Sequence, residues 1–476
     1  MVGLVSYGAY LPFYRLARQE ISRVWGGASG AGERTVAGGD EDTVTMAVEA
    51  GTDCLRGLDE PVDAVLFAST TPPYAEKQSA SLVAAALNLG PETRTADHGH
   101  SLRGGCCALR AALDAVTAGT CRQSLVVASD LPEAPPGSAL ERICGDGAAA
   151  LAVGSGPVLA EFVDWYGITS EFMDSWRLPR DRFSQSWEER FVRDKGYLRL
   201  LPQAVAGLLQ RCGLGPKDVD RVVLNAPDAR SHRRVARQMG FADAQVQDPL
   251  LTQVGVAGAA SSFLTLAAAL DRAAPGDRIL VGCYGDGADA FLLRVTPEIE
   301  RRRRVRGVRG YLPSKRSLEN YGKYLQFRGL TETEVDRRPA PRTSLTHYFR
   351  EKSQLFGLVG QRCTACGMEQ FPRQRVCMYC RASMEDRSQY EDVCLAGQKG
   401  KLFTFSMDQR APVVDLPNVL CVVDLEGGGR YYGLMTDRDP AQIAIDQEME
   451  FTFRKINDAQ GVHNYFWKVR PVRGQE

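Results

Sequence analysis

The chain has 476 residues with 58 basic and 58 acidic side chains, a formal net charge of +0, and length enough for two or more domains around a large core. The balance argues against a globally basic binder of nucleic acid or membrane surface, although arginine far outnumbers lysine and leaves room for local anion sites. No apolar run approaches the roughly 18 residues of a membrane span, and Met1-Val-Gly-Leu-Val-Ser lacks the basic region of a signal peptide. Thirteen cysteines are an odd number with four at metal-ligand spacing, so the expectation is a reducing, cytoplasmic setting rather than a disulfide scaffold.

In chain order, residues 3–10 read as a strand stopped by Leu11-Pro12, residues 40–54 as a helix and Val62–Ala68 as a buried strand. An alanine-rich helix is predicted over 78–88. Thr95–Gly119 reads as a strand, a glycine-softened turn at His100-Ser-Leu-Arg-Gly-Gly105, and a helix of small apolar residues. Such a turn presents a reactive group at a helix N-terminus, where free N–H groups and the dipole stabilise an anion. Gln123–Asp130 and Ile143–Val153 follow as strands. From Asp220 the pattern echoes: Asp220–Pro227 mirrors Val62–Ser69, and Asp277–Gly287 mirrors 123–130, which argues for a duplicated α/β layer fold. Between the halves, 164–198 is aromatic and charged, with Trp165, Trp176 and Trp187, and reads as a surface excursion or a lid. Arg301–Arg304, extended by Arg306, Arg309, Lys315 and Arg316, reads as a solvated linker or as a patch for a nucleotide phosphate.

Cys363-Thr-Ala-Cys366 and Cys377-Met-Tyr-Cys380 form two Cys-x-x-Cys knuckles, the pattern of a structural, four-thiolate zinc ribbon. Strand-like segments at 401–407, 418–425, 430–435, 449–456 and 464–469 then suggest a small five-stranded barrel of the OB type. The expected division is 1–335 for the α/β domain, 336–354 for a linker, 355–385 for the ribbon and 386–476 for the barrel.

The turn at 95–119, the cap pattern Phe172/Asp174/Trp176/Arg177 and Tyr321-Gly-Lys-Tyr-Leu325 carry a resemblance to the thiolase superfamily, most closely to archaeal-type 3-hydroxy-3-methylglutaryl-CoA synthases. The tail resembles acyl-CoA-associated zinc-ribbon and OB-fold domains. The resemblance implies a five-layer α-β-α-β-α fold, a coenzyme A or carrier-protein thioester as substrate, a homodimer, a partner enzyme supplying or receiving the thioester, and no nucleic-acid or membrane partner. It also exposes an altered site. Counting from Ala96-Asp97 and back from Gly119 puts the nucleophilic cysteine at Leu102. The glutamate falls at Thr70, the histidine at Asn225 and the oxyanion asparagine at Val256. Leucine and valine supply no thiolate or amide chemistry, and Asn225 carries no proton at neutral pH.

Polar groups near the altered turn are His98 and His100, which strand alternation would put on one side, together with Cys283 and Tyr284. Three functions compete. One is an enzyme that makes or breaks a carbon–carbon bond, aldol, retro-aldol or Claisen-like, without an acyl-cysteine, using His98, His100, Cys283, Tyr284 or Asn225. A second is acyl transfer or hydrolysis through a relocated nucleophile such as Cys106. The third is a non-catalytic thioester-binding scaffold.

Overall fold

The computed structural model describes residues 1–27, 30–302, 306–331 and 342–474. Arg303 and Arg304 of the arginine run, the expected boundary at 335 and linker residues 336–341 lie outside the described residues. Nine strands form one mixed sheet: β1 (Val2–Tyr10), β2 (Ala64–Ser69), β3 (Arg94–Gly99), β4 (Gln123–Asp130), β5 (Gly147–Ser155), β6 (Ala160–Thr169), β7 (Arg221–Leu224), β8 (Arg278–Tyr284) and β9 (Gly287–Val295). Their spatial order is β7-β8-β9-β6-β1-β5-β4-β2-β3.

The order contains the duplication. β4–β5–β1 and β8–β9–β6 are both antiparallel runs, each extended outward by parallel pairing, of β4 with β2 and of β8 with β7. Where the first half ends in β3, the second has only the parallel bridge Val222–Val246. The halves join through Gly3–Glu161 and Leu4–Ala160. Glycine is required there, because a Cβ on Gly3 would stand 2.1 Å from the Ala160 carbonyl oxygen.

Six helices complete the layers: α1 (Thr43–Leu55), α2 (Ser79–Ala86), α3 (Gly104–Thr117), α4 (Leu198–Cys212), α5 (Ala229–Gln238) and α6 (Ser261–Leu270). α1 covers β1, β5 and β4 from outside, and α4 covers β9, β6 and β8. α3 packs on β2, β4 and β5, while α6 touches strands of both halves. The sequence explains the placement. Ser262 to Leu270 of α6 is buried all round, as a helix packed against both halves of the sheet must be, whereas α5 keeps its arginines exposed. Asp42 fixes the start of α1 by accepting from the N–H groups of Val44 (2.9 Å) and Thr45 (3.0 Å). The arrangement is an α/β thiolase-like fold.

Two sequence expectations need correction. Residues 164–169, assigned to the excursion, are the end of β6, and Trp165 is a core residue stacked on Phe291 at 4.9 Å. Arg306, assigned to a basic linker or phosphate patch, is buried against Glu450.

The ribbon pairs Val359–Cys363 with Glu369–Gln370 and Tyr390–Cys394. Beyond it, β10 (Lys399–Asp408), β11 (Asn418–Leu425), β12 (Arg430–Met435), β13 (Glu448–Ala459) and β14 (Val462–Pro471) close a barrel in the order β10-β11-β12-β14-β13. Its interior holds Leu402, Val419, Val423, Tyr431, Phe453 and Trp467.

The barrel is fastened to the α/β domain by buried charge. Arg470 pairs with Glu49 on α1, with Glu450 at 2.8 Å and with Asp437 at 3.1 Å. Arg454 reaches Glu41 at 3.2 Å and Asp437 at 2.7 Å, and Tyr10 donates to Glu41. Removing such charges from water costs several kcal/mol per ion unless every partner is in place, so this contact tolerates few orientations.

Candidate active site and zinc centre

A cleft of about 300 Å³ opens where β3 turns into α3. Leu102, to which counting along the sequence assigns the nucleophile position, lies in its wall, with Thr70, His100, Ser101 and Asp286 beside it. The cap contributes Asp174, Ser175, Trp176, Arg177 and Ser184, positioned by a two-stranded ribbon of Ser175–Trp176 and Gln185–Ser186. Arg177 ties the cap to the site by donating to the Thr70 carbonyl at 3.3 Å.

The two histidines part company. β3 ends at Gly99, and His100 takes a left-handed φ of 69°, which breaks the alternation expected to put both on one side. His98 pairs with Ala68 inside the sheet and is half-buried, which pushes its imidazole pKa down; it does not line the cleft.

Cys283 lies at the end of β8, 1% exposed, where Ser262 donates to its Sγ at 3.1 Å and Leu102 offers a carbonyl oxygen at 4.0 Å. Cys106 is also 1% exposed. Its contact with Cys283, then burial, pushes its thiol pKa well up, the reverse of an activated nucleophile. Asn225 spends both ends of its amide on Tyr284, donating to the carbonyl and accepting from the N–H, each at 2.9 Å. Tyr284 is 6% exposed, and burial together with Asp174 raises its hydroxyl pKa, so it stays protonated. Val256 is not among the residues lining the cleft; it bridges to Cys144 and its N–H donates to the Ile143 carbonyl at 2.7 Å.

The residue least visible in sequence is Asp130. It is fully buried and accepts from the hydroxyls of Ser69 (2.8 Å), Thr70 (2.8 Å) and Thr71 (2.9 Å) and from the N–H of Ala259 (2.7 Å). Burial raises its pKa and these donors oppose the rise. Thr70, expected from the sequence at the position of an acid, is a donor to a carboxylate that ties residues 69–71 to Ala259. The sequence offered only an aspartate at a strand end.

In the ribbon, the sulfurs of Cys363, Cys366, Cys377 and Cys380 lie within 4.8 Å of one another. Thiolates about 2.3 Å from a tetrahedral zinc stand about 3.8 Å apart. The Cys363–Cys380 and Cys366–Cys377 separations are 3.8 and 3.6 Å. The donor set fits a structural zinc, and four protein sulfurs leave no position for substrate.

Family models match in three places: the 3-oxoacyl-[acyl-carrier-protein] synthase III C-terminal model over residues 209–294, the ChsH2 rubredoxin-like zinc ribbon over 356–385 and the ChsH2 C-terminal OB-fold over 393–454. Hydroxymethylglutaryl-CoA synthase of Methanopyrus kandleri is 35% identical over 340 residues, covering 69% of this chain and 97% of that protein. The Aeropyrum pernix synthase is 36% identical over 340 residues, covering 69% and 94%. Among solved structures, HMG-CoA synthase complexed with CoA aligns with a TM-score of 0.65 at 19% identity over 72% of this chain and 94% of that one. MvaS in complex with 3-hydroxy-3-methylglutaryl coenzyme A gives 0.63 at 22% identity over 72% and 94%. The structural matches bear on the fold, and the sequence identity carries the family. The chain belongs to the hydroxymethylglutaryl-CoA synthase family of the thiolase superfamily, with a zinc-ribbon and OB-fold module fused behind the synthase-like domain.

Proposed function

We propose that this protein acts on acyl-CoA or acyl-carrier thioesters and makes or breaks a carbon–carbon bond in an aldol or retro-aldol sense, with no acyl-enzyme. The observation that carries the reading is the composition of the cleft. Its wall keeps His100, Ser101, Asp174, Arg177 and Asp286 around a leucine and includes no cysteine, while Cys106 and Cys283 are each 1% exposed. In the cleavage direction the C2–C3 bond of a 3-hydroxyacyl thioester breaks and its electron pair passes into the thioester enolate. The 3-hydroxyl loses its proton to a base as the carbonyl forms, and C2 then gains a proton. His100 carries one of these two transfers. Tyr284 and Cys283 stand behind the wall, where burial and the nearby Asp174 keep the phenol protonated. Acyl transfer through Cys106 is disfavoured by the burial of that thiol.

The test is turnover of a panel of short 3-hydroxyacyl-CoA esters, with the released carbonyl compound and shortened acyl-CoA separated chromatographically. His100→Ala should lower kcat by about 10²–10⁴-fold and leave KM within a few-fold. Binding of every ester with cleavage of none would instead favour a thioester-binding scaffold, the reading that the committed amide of Asn225 supports. The working unit is a homodimer, expected at twice the chain mass by light scattering, and a monomer at micromolar concentration would reject it.

A further inference from the structure

The carbon–carbon bond reading needs two proton transfers and His100 accounts for one. We propose that Asp286 is the second proton-transfer group, the base that takes the proton of the substrate 3-hydroxyl, leaving His100 to protonate C2 of the enolate. The inference rests on the function proposed above and extends it to a residue outside the family pattern.

Asp286 sits with Gly285 in the tight turn between β8 and β9, and its side chain is exposed in the cleft wall that also holds His100 and Leu102. Its φ is 47°, in the left-handed region that costs a residue with a Cβ free energy and that aspartate tolerates better than most. His100 has a φ of 69° and lines the same cleft. Two non-glycine residues in this conformation, delivered to one cavity by two different elements, are strain concentrated where a site would use it.

The surroundings hold the turn rigidly. The Asp286 carbonyl accepts from Arg103 Nη2 at 3.0 Å and from the Ser170 N–H at 3.3 Å. A Cβ on Gly285 would stand 3.1 Å from that of Leu102, so the turn is packed against the residue that replaced the nucleophile. The backbone anchors use the carbonyl and leave the carboxylate to the cleft. The charged and titratable groups around it are His100, Asp174 and Arg177 in the cleft wall, Arg103 on the turn, and Tyr284 and Cys107, which both feel its charge.

The experiment compares wild-type protein with Asp286→Asn and Asp286→Gly on the 3-hydroxyacyl-CoA ester that turns over fastest. Both variants should lower kcat about 10²-fold or more with KM within a few-fold, and the low-pH fall of the wild-type kcat/KM profile should disappear in Asp286→Asn. Melting temperature should hold or rise, since asparagine and glycine accept the left-handed turn at least as well as aspartate. A merely structural aspartate would give unchanged turnover or a loss that follows the melting temperature, and either result overturns the assignment while leaving the parent reading intact. Failure of wild-type protein to cleave any ester overturns both.

Discussion

Arg470 gives the sharpest stability test, because its surroundings state what its loss would leave behind. The guanidinium is 1% exposed and faces three carboxylates. Without it Asp437 keeps Arg454 at 2.7 Å, and Glu450 keeps Arg306. Among the described residues, Glu49 then keeps the Thr452 hydroxyl at 2.8 Å and a longer contact to the Phe453 N–H at 3.4 Å. Arg470→Met should therefore strand one buried carboxylate and cost about 3–5 kcal/mol, the usual penalty for breaking a buried pair from one side. Glu49→Leu in the same chain removes the stranded charge, and the double variant should recover most of the loss, a coupling of more than about 2 kcal/mol. Urea unfolding followed by far-ultraviolet circular dichroism and tryptophan fluorescence supplies the four free energies. A single-variant loss below about 1 kcal/mol, or additive single effects, would refute the claim that this network fixes the barrel on the α/β domain.

Three further outcomes follow from the geometry. Cys366→Ser should release the zinc and unfold chiefly the ribbon, since thiolate-bound zinc supplies folding energy on the order of 10 kcal/mol, and native protein purified without chelator but free of zinc by elemental analysis would contradict it. Burial pushes the Asp53 carboxyl up to about 6. Its contribution to stability is thus full below the unfolded value near 4 and is lost as pH rises through about 6, worth about 3 kcal/mol in all, and Asp53→Asn should flatten that stretch of the stability–pH curve. Leu102→Cys should not restore synthase turnover, because Asn225 remains committed to Tyr284 and Val256 remains outside the cleft; recovery of condensing activity in a coupled assay would show that the thiol was the sole deficit.

Much of the fold was legible because it rests on local pattern. β4 carries an apolar centre at Leu125–Ala128 and β11 is mostly apolar with alternating burial, and the observed bounds of β11 and β12 coincide with those read from sequence. The zinc ligands were legible because tetrahedral thiolate geometry imposes a spacing on the chain. The charge lock was not, since Glu49 and Arg470 are 421 residues apart and each alone reads as a solvated surface residue. Asp130 and Asp286 share that opacity. One is a buried brace and the other an exposed carboxylate in a left-handed turn, and neither burial nor φ is written in an aspartate beside glycines. Counting along the sequence assigns the nucleophile position to Leu102, but what surrounds Leu102 depended on where the cap and the β8–β9 turn fold back.

The central claim is chemistry on a thioester without an acyl-cysteine, and intact-protein mass spectrometry during a single turnover tests it most directly. Enzyme in excess over a 3-hydroxyacyl-CoA ester, quenched in acid at intervals, should show product forming while the protein keeps its unmodified mass. An acyl adduct that appears and decays at the rate of product formation, mapped to Cys106, Cys107 or Cys283, would contradict it.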